Sequence, residues 1–255
     1  MHHNISASPA GSDRKVCFMT GASGILGSEI ALSVAGLGYN VFFTWHRSED
    51  QAGQLLEQLQ WISPESRMVR CNVADPADVA AAFGAFEREF GRLDLLVCSA
   101  SNFFKAPLLE LDEAAWDSLI DTNLKGCFFT MQQGARLMMR QPFRSRIIAF
   151  SDVAAGIGWP SFAPYSIAKA GIEHMCRLFA RSCAPNLLVN AIAPGHITSN
   201  PLSGVEPCEG NEGKGRHGTE ADPLDVARTV AFLMENDSIT GQVITVDGGR
   251  MLWQR

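Results

Sequence analysis

Two side chains in this 255-residue chain have the types and spacing for proton transfer: Tyr165 and Lys169, in Tyr165-Ser166-Ile167-Ala168-Lys169. A separation of four in a helical segment puts a phenol and an ammonium on one face, about a turn apart. The ammonium favours the phenolate, so the phenol is expected to titrate below its ordinary value of about 10. A second stretch with chemical use lies near the start, Thr20-Gly21-Ala22-Ser23-Gly24-Ile25-Leu26-Gly27, directly before a helical pattern that begins Ser28-Glu29-Ile30-Ala31. Glycines let the backbone turn tightly and approach a pyrophosphate, whose charge then lies at the positive end of the helix. Its place after a β-rich run and before a helix favours dinucleotide binding over an ordinary strand-to-helix turn. An oxidised nicotinamide would add its positive charge to that of Lys169 in favouring the phenolate.

The next strand end reads Thr44-Trp45-His46-Arg47-Ser48, with no acidic residue to hold the adenosine ribose hydroxyls of NAD. Arg47, flanked by His46 and Ser48, instead offers a guanidinium and further donors suited to a 2′-phosphate. The expected cofactor is therefore NADPH. Asn72-Val73 follows the third strand, where Asn72 is placed to bond the adenine edge.

These groups need elements that hold them. Apolar, β-rich runs alternate with segments of helical period, the pattern of parallel strands joined by right-handed crossovers. The runs predict strands near Lys15 to Thr20, Asn40 to Trp45, Arg67 to Cys71, Leu93 to Ser99, Arg146 to Ser151, Leu187 to Ile192 and Gln242 to Val246. The expected fold is a single doubly wound α/β domain of Rossmann type with a seven-stranded parallel sheet, spanning 15–255. Residues 1–14 read as a flexible N-terminal segment. Residues 199–220, rich in Gly, Pro, Glu and Asn and without periodicity, read as a substrate loop or lid.

A formal charge of −6 and the lack of a Lys/Arg run argue against a nucleic-acid surface and for a small-molecule partner. The sequence shows neither a secretory signal nor a membrane-spanning apolar run, so a cytoplasmic location is expected. Seven cysteines without a CxxC pair, and six histidines without ligand spacing, suggest core thiols and no metal.

Further pieces join the glycine loop and the Tyr-Lys pair. They are Asn123 in Thr122-Asn123-Leu124-Lys125-Gly126, then Asn190-Ala191-Ile192-Ala193-Pro194-Gly195, and the closing stretch from Thr240 to Asp247-Gly248-Gly249. With them the chain from Lys15 to Gly249 resembles the short-chain dehydrogenase/reductase family. The resemblance implies hydride transfer from the nicotinamide, Tyr165 as proton donor, Lys169 on the tyrosine and the ribose, Asn123 holding a relay water, and a homotetramer or dimer. It also implies cofactor contacts from Gly21, Ser23, Gly24, Ile25, Leu26 and Gly27, from Ser99, Ala100 and Ser101, and from Pro194, Gly195 and Ile197.

Departures from the family pattern bear on the substrate. The family commonly has a serine thirteen residues before the tyrosine, where this chain has Asp152. Ser151 is no simple replacement, because one step along a strand turns a side chain to the opposite face. An ionised carboxylate opposes the negative charge that develops on a carbonyl oxygen, whereas it favours the cation formed in C=N reduction. Within the family, Asp152 with the Tyr-Lys pair, His46-Arg47-Ser48, and Phe103 after Cys98-Ser99-Ala100-Ser101 resemble the pteridine reductases, which stack a pterin between nicotinamide and a Phe. Those enzymes usually carry an Arg in the glycine loop where Ile25 stands here. The expected substrate is thus a pterin or dihydrofolate contacting Phe103, Asp152 and Tyr165. A cyclic imine or ketone of a specialised pathway is the alternative. A non-reducing cyclase or isomerase, and a cofactor-binding regulator, are rival readings. The tail from Trp253 to Arg255 is a candidate to reach a neighbouring subunit's site.

Overall fold

Near-continuous apolar runs become inner strands covered on both faces by crossover helices, whereas the edge runs Arg67–Arg70 and Val243–Val246 are only partly covered. A computed structural model describes residues 14–197 and 221–253. The N-terminal segment up to residue 13, the 199–220 loop and the last two tail residues lie outside the described residues. The strands are β1 (Lys15–Thr20), β2 (Tyr39–Trp45), β3 (Arg67–Arg70), β4 (Leu95–Cys98), β5 (Ser145–Phe150), β6 (Leu187–Pro194) and β7 (Val243–Val246). They form one parallel sheet in the order β3-β2-β1-β4-β5-β6-β7. The chain reverses its direction of travel between β1 and β4, and a crevice at such a switch point is where doubly wound sheets bind ligands.

Strand alternation divides the core in two. Val16 and Phe18 of β1, Leu96 of β4 and Ile147 of β5 face one cluster, with Phe83 and Phe86 of α3 (Pro76–Glu89), Met131 of α5 (Gly126–Met138) and Ile172 of α7 (Ala163–Ser182). Cys17, Met19, Leu95 and Ile148 face the other. It takes in Ile30 and Val34 of α1 (Ile25–Gly36), Leu55 and Leu59 of α2 (Glu49–Ile62), and Val226 and Val230 of α8 (Pro223–Glu235). Phe18 stacks on Phe83 with ring centroids 4.3 Å apart, which locks β1 against α3 beneath the glycine loop. β4 begins later than the sequence pattern suggests: the Asp94 carboxylate accepts the Val16 amide at 2.8 Å and pairs with Arg92, so this residue anchors the strand's entry.

Two irregular elements prepare the site. α4 (Glu113–Ile120) runs into α5 through a π-helical turn, Asp121–Lys125, which carries Asn123. Single π turns inside helices often mark functional positions. After β7 the chain turns through Gly248 and Gly249, at φ of 58° and 82°, into one 3₁₀ turn, Arg250–Trp253. The Asp247 carboxylate holds that turn by accepting the amides of Gly249 and Met251 at 2.8 and 2.7 Å.

Candidate active site

The tyrosine is delivered by α7, whose N-terminal turn opens Ala163-Pro164-Tyr165. Proline is tolerated there because the first helical amides lack intrahelical partners. Tyr165 and Lys169 are almost fully buried, and the Lys169 Nζ lies 5.3 Å from the centroid of the Tyr165 ring. The ammonium donates to the Phe150 carbonyl at the end of β5, at 2.9 Å. The phenol donates to the Oδ2 of Asp152, at 2.9 Å. The other oxygen of Asp152 accepts the Ala154 amide at 2.8 Å, at the start of α6 (Ala154–Ile157).

This geometry corrects the expected titration of Tyr165. Burial first, then the charge and hydrogen bond of Asp152, push the phenol well above its ordinary range, while a hydrogen bond from Ser101 pulls the other way. Lys169 offsets little of this, since its ammonium is turned to a backbone carbonyl and burial lowers its own pKa. Tyr165 is therefore a neutral phenol at neutral pH, the form of a proton donor. Burial raises the Asp152 carboxyl, against the lowering effect of the Ala154 amide, Lys169, Tyr165 and Arg250.

Asn123 is fully buried and closely held. Its Oδ1 accepts the Ser101 hydroxyl at 2.5 Å, and its Nδ2 donates to Asn102 and to the Leu119 carbonyl. Ser101, expected as a cofactor contact, thus joins the catalytic side by touching both Asn123 and the phenol. Ser151 faces elsewhere as the strand period requires, with its hydroxyl against the Lys169 carbonyl and Glu173. Phe103 stacks on Phe162 at 4.5 Å with an interplanar angle of 8°, and meets the Tyr165 ring edge-on at 4.8 Å. It remains 48% exposed, so it is a pocket wall rather than core. Trp159 packs edge-on to both phenylalanines, and the guanidinium of Arg250 lies over it at 5.2 Å.

The glycine loop sits at the β1/β4 switch point. Gly21 adopts φ 71°, and a Cβ there would lie 2.5 Å from the Ala100 amide nitrogen. A Cβ on Gly27 would meet the Gly21 carbonyl at 2.1 Å. No side chain caps α1, whose first turn starts at Ile25, so its leading amides are left for an anion. Ser23 is half-buried in the loop, Leu26 packs on the second core cluster, and Ile25 is 42% exposed at the helix start.

At the end of β2, Arg47 is exposed, with His46 and Ser48 half-buried beside it. Burial, then Arg47 and Arg70, lower the His46 pKa, so the imidazole is neutral. Arg70, at the end of β3 and paired in register with Trp45, is a second cation that local sequence did not single out. Asn72 spends its Oδ1 on the Ala74 amide at 3.2 Å, closing a turn, and Val73 is buried against Gly126. Ser99 and Ala100 follow β4, their amides directed to the Thr20 carbonyl and hydroxyl. Pro194 ends β6. A Cβ on Gly195 would lie 2.8 Å from the Asp247 Cα, and Ile197 bridges to Ala221. These features fit a dinucleotide laid across the switch point, with phosphates at Gly21–Gly27 and the 2′-phosphate end by Arg47 and Arg70.

Such a sheet, with a glycine loop at its switch point and a Tyr-Lys helix beside it, defines a nicotinamide-dependent oxidoreductase of the Rossmann class. A family profile described as enoyl-(acyl carrier protein) reductase matches residues 21–250. A 3-oxoacyl-(acyl-carrier-protein) reductase FabG of Staphylococcus aureus is 36% identical over 244 residues, covering 92% of this chain and 97% of that protein. Among solved structures, an acetoin dehydrogenase from Enterobacter cloacae superposes with a TM-score of 0.86 at 27% identity, covering 96% of this chain and 98% of its own. An actinorhodin polyketide ketoreductase solved with NADPH gives 0.85 at 25% identity, covering 94% and 98%. The chain belongs to the short-chain dehydrogenase/reductase family. Among the described residues, no helix is long and apolar enough to cross a membrane.

Phe162, Trp159, Arg70 and Arg250 are the site residues that sequence reasoning missed. Trp159 and Phe162 lie between Asp152 and Tyr165, so an aromatic pair there was a readable signal. Arg250 carried none, because its place depends on the turn after β7.

Proposed function

We propose that this chain is an NADPH-dependent reductase that delivers hydride to a C=N or conjugated bond of a small nitrogen heterocycle, with a pterin or dihydrofolate first among candidates. The observation that carries this reading is the hydrogen bond from the Tyr165 phenol to Asp152 beside the exposed ring of Phe103. Arg47 and Arg70 support the 2′-phosphate form of the cofactor, and the NADPH of the actinorhodin ketoreductase structure accords with it. The nicotinamide, when bound, supplies the hydride. Tyr165 donates its phenolic proton to the substrate, and the Lys169 ammonium beside the ring stabilises the phenolate that remains. Asp152 does two things: it orients the phenol, and as a carboxylate it stabilises positive charge on a protonated ring nitrogen. Phe103 and Phe162 give a flat ring an aromatic wall to lie against. By family expectation the active form is a homotetramer or dimer in the cytoplasm.

Carbonyl reduction is the second reading, favoured by the reductase names of the relatives. A panel of dihydropterins, dihydrofolate, cyclic imines and ketones, followed by NADPH oxidation, separates the two. Turnover confined to ketones would overturn the first, and product formed without NADPH consumption would indicate a cyclase or isomerase. Tyr165→Phe is expected to lower kcat by about 1,000-fold while leaving NADPH affinity near the parent value. Unchanged turnover would remove Tyr165 from its role.

A further inference from the structure

Phe103 is half-exposed, so core packing does not by itself fix the ring that lines the substrate pocket. Its place depends on how the chain is held on either side. On the C-terminal side the anchor is backbone. The Ala106 amide donates to the Ser161 carbonyl and the Leu108 amide to the Pro160 carbonyl, both at 2.9 Å, and Ala106 bridges to Phe162, the residue on whose ring Phe103 stacks. On the N-terminal side a side chain ties the segment to two elements at once. Asn102 Nδ2 donates to the carbonyl and the hydroxyl of Ser118 in α4, at 3.0 and 3.2 Å. Asn102 Oδ1 accepts from the Nδ2 of Asn123, in the π turn, at 2.5 Å, and its backbone carbonyl accepts from the same nitrogen at 3.0 Å. The Ser118 and Leu119 carbonyls can only accept, which determines the orientation of both carboxamides.

We infer that Asn102 is a positioning residue for the substrate wall: it clasps α4 to the π turn immediately before Phe103 and so sets where that ring stands against Phe162 and Tyr165. This deepens the proposed function and rests on its assignment of Phe103 to the substrate. Asn102 and Ala106 are four positions apart. With both ends tied, the backbone between them has few conformations that keep the ring 4.5 Å from Phe162 and 4.8 Å from Tyr165, and the ordering is supplied by the anchors. Without the Asn102 side chain the link to α4 is lost. The segment then keeps only its bonds to Asn123, from the Ser101 hydroxyl and to the backbone carbonyl of residue 102. Phe103, with little buried surface to hold it, turns toward solvent.

The ring is followed directly by fluorine NMR of the full chain labelled with para-fluorophenylalanine, with the Phe103 signal assigned by its loss in Phe103→Leu. In Asn102→Ala that signal is expected to move toward the shift of an exposed ring while the core phenylalanine signals stay in place. KM for dihydrofolate should rise by about threefold, with NADPH affinity unmoved. Asn102→Asp, which still accepts from Asn123 but cannot donate to Ser118, should displace the ring in the same direction. A double-mutant cycle separates positioning from general loosening: in Phe103→Ala, adding Asn102→Ala should leave KM unchanged, because the ring through which it acts is gone. A Phe103 signal unmoved in both Asn102 variants overturns the inference, and so does a KM that rises by the same factor in both backgrounds. Absent dihydrofolate turnover, or a KM unaffected by Phe103→Ala alone, would instead tell against the proposed function, while the fluorine signal still decides the effect of Asn102. Should Asn102→Ala fail to fold, Asn102→Asp carries the same measurements.

Discussion

The two halves of the site are made of different material. The phosphate cradle of the cofactor half is backbone: a Cβ at Gly21 or Gly27 would strike a neighbouring main chain, and the first amides of α1 are uncapped. The substrate half is side chains from separate segments: Phe103 after β4, Asp152 after β5, Phe162 and Tyr165 around the start of α7, and Arg250 after β7. A backbone cradle tolerates almost no change at its contact points, whereas a wall of side chains can be re-cut for a new substrate while the cradle stays.

The contrast makes graded predictions. Gly27→Ala, which forces a Cβ to within 2.1 Å of the Gly21 carbonyl, should displace the loop. NADPH affinity is expected to fall by about 100-fold or more, read by fluorescence titration. Affinity within a few-fold of the parent would break the claim that the cradle is rigid. On the other side, Asp152→Ser should cut C=N reduction by about 100-fold and ketone reduction far less. Equal losses on both substrate types would show that Asp152 only orients the phenol.

Smaller effects sharpen the boundary between the halves. Arg47→Ala is expected to weaken NADPH by about tenfold and leave NADH unaffected, since only one of them carries the 2′-phosphate. A residual preference for NADPH in that variant would then belong to Arg70, and Arg47→Ala with Arg70→Ala should erase it. Phe103→Ala should raise KM for a heterocyclic substrate by about fivefold with NADPH affinity unchanged. A shift in NADPH affinity instead would move Phe103 across to the cofactor half.

The cofactor residues expected from the sequence lie within a few positions of a strand end, where local chemistry is readable from spacing, yet Arg70 at the end of β3 was not singled out. The inner strands were readable for a related reason: burial on both faces demands continuous apolar runs, as in β1, β4 and β6. Less of the substrate half could be read. Asp152 and Phe103 stood out only against the family pattern, and local sequence gave no sign that the Ser101 hydroxyl donates to Asn123. Spacing along α7 correctly put Lys169 beside Tyr165, yet it implied a phenol drawn down in pKa. The fold buries the phenol and then sets Asp152 on it, which reverses the sign, while the ammonium turns to the Phe150 carbonyl.

The amino-acid order by itself determined the sheet, its glycine loop, the Tyr-Lys pair and the absence of an acid at the end of β2. All of these follow from local periodicity or from side chains a few residues apart. Tertiary structure alone decided that Phe103, Phe162 and Trp159 form one wall, that Arg250 lies over Trp159, and that Tyr165 is held as a neutral phenol. Those outcomes depend on groups far apart in the chain meeting in a buried place. There, desolvation and the direction of one hydrogen bond outweigh sequence proximity.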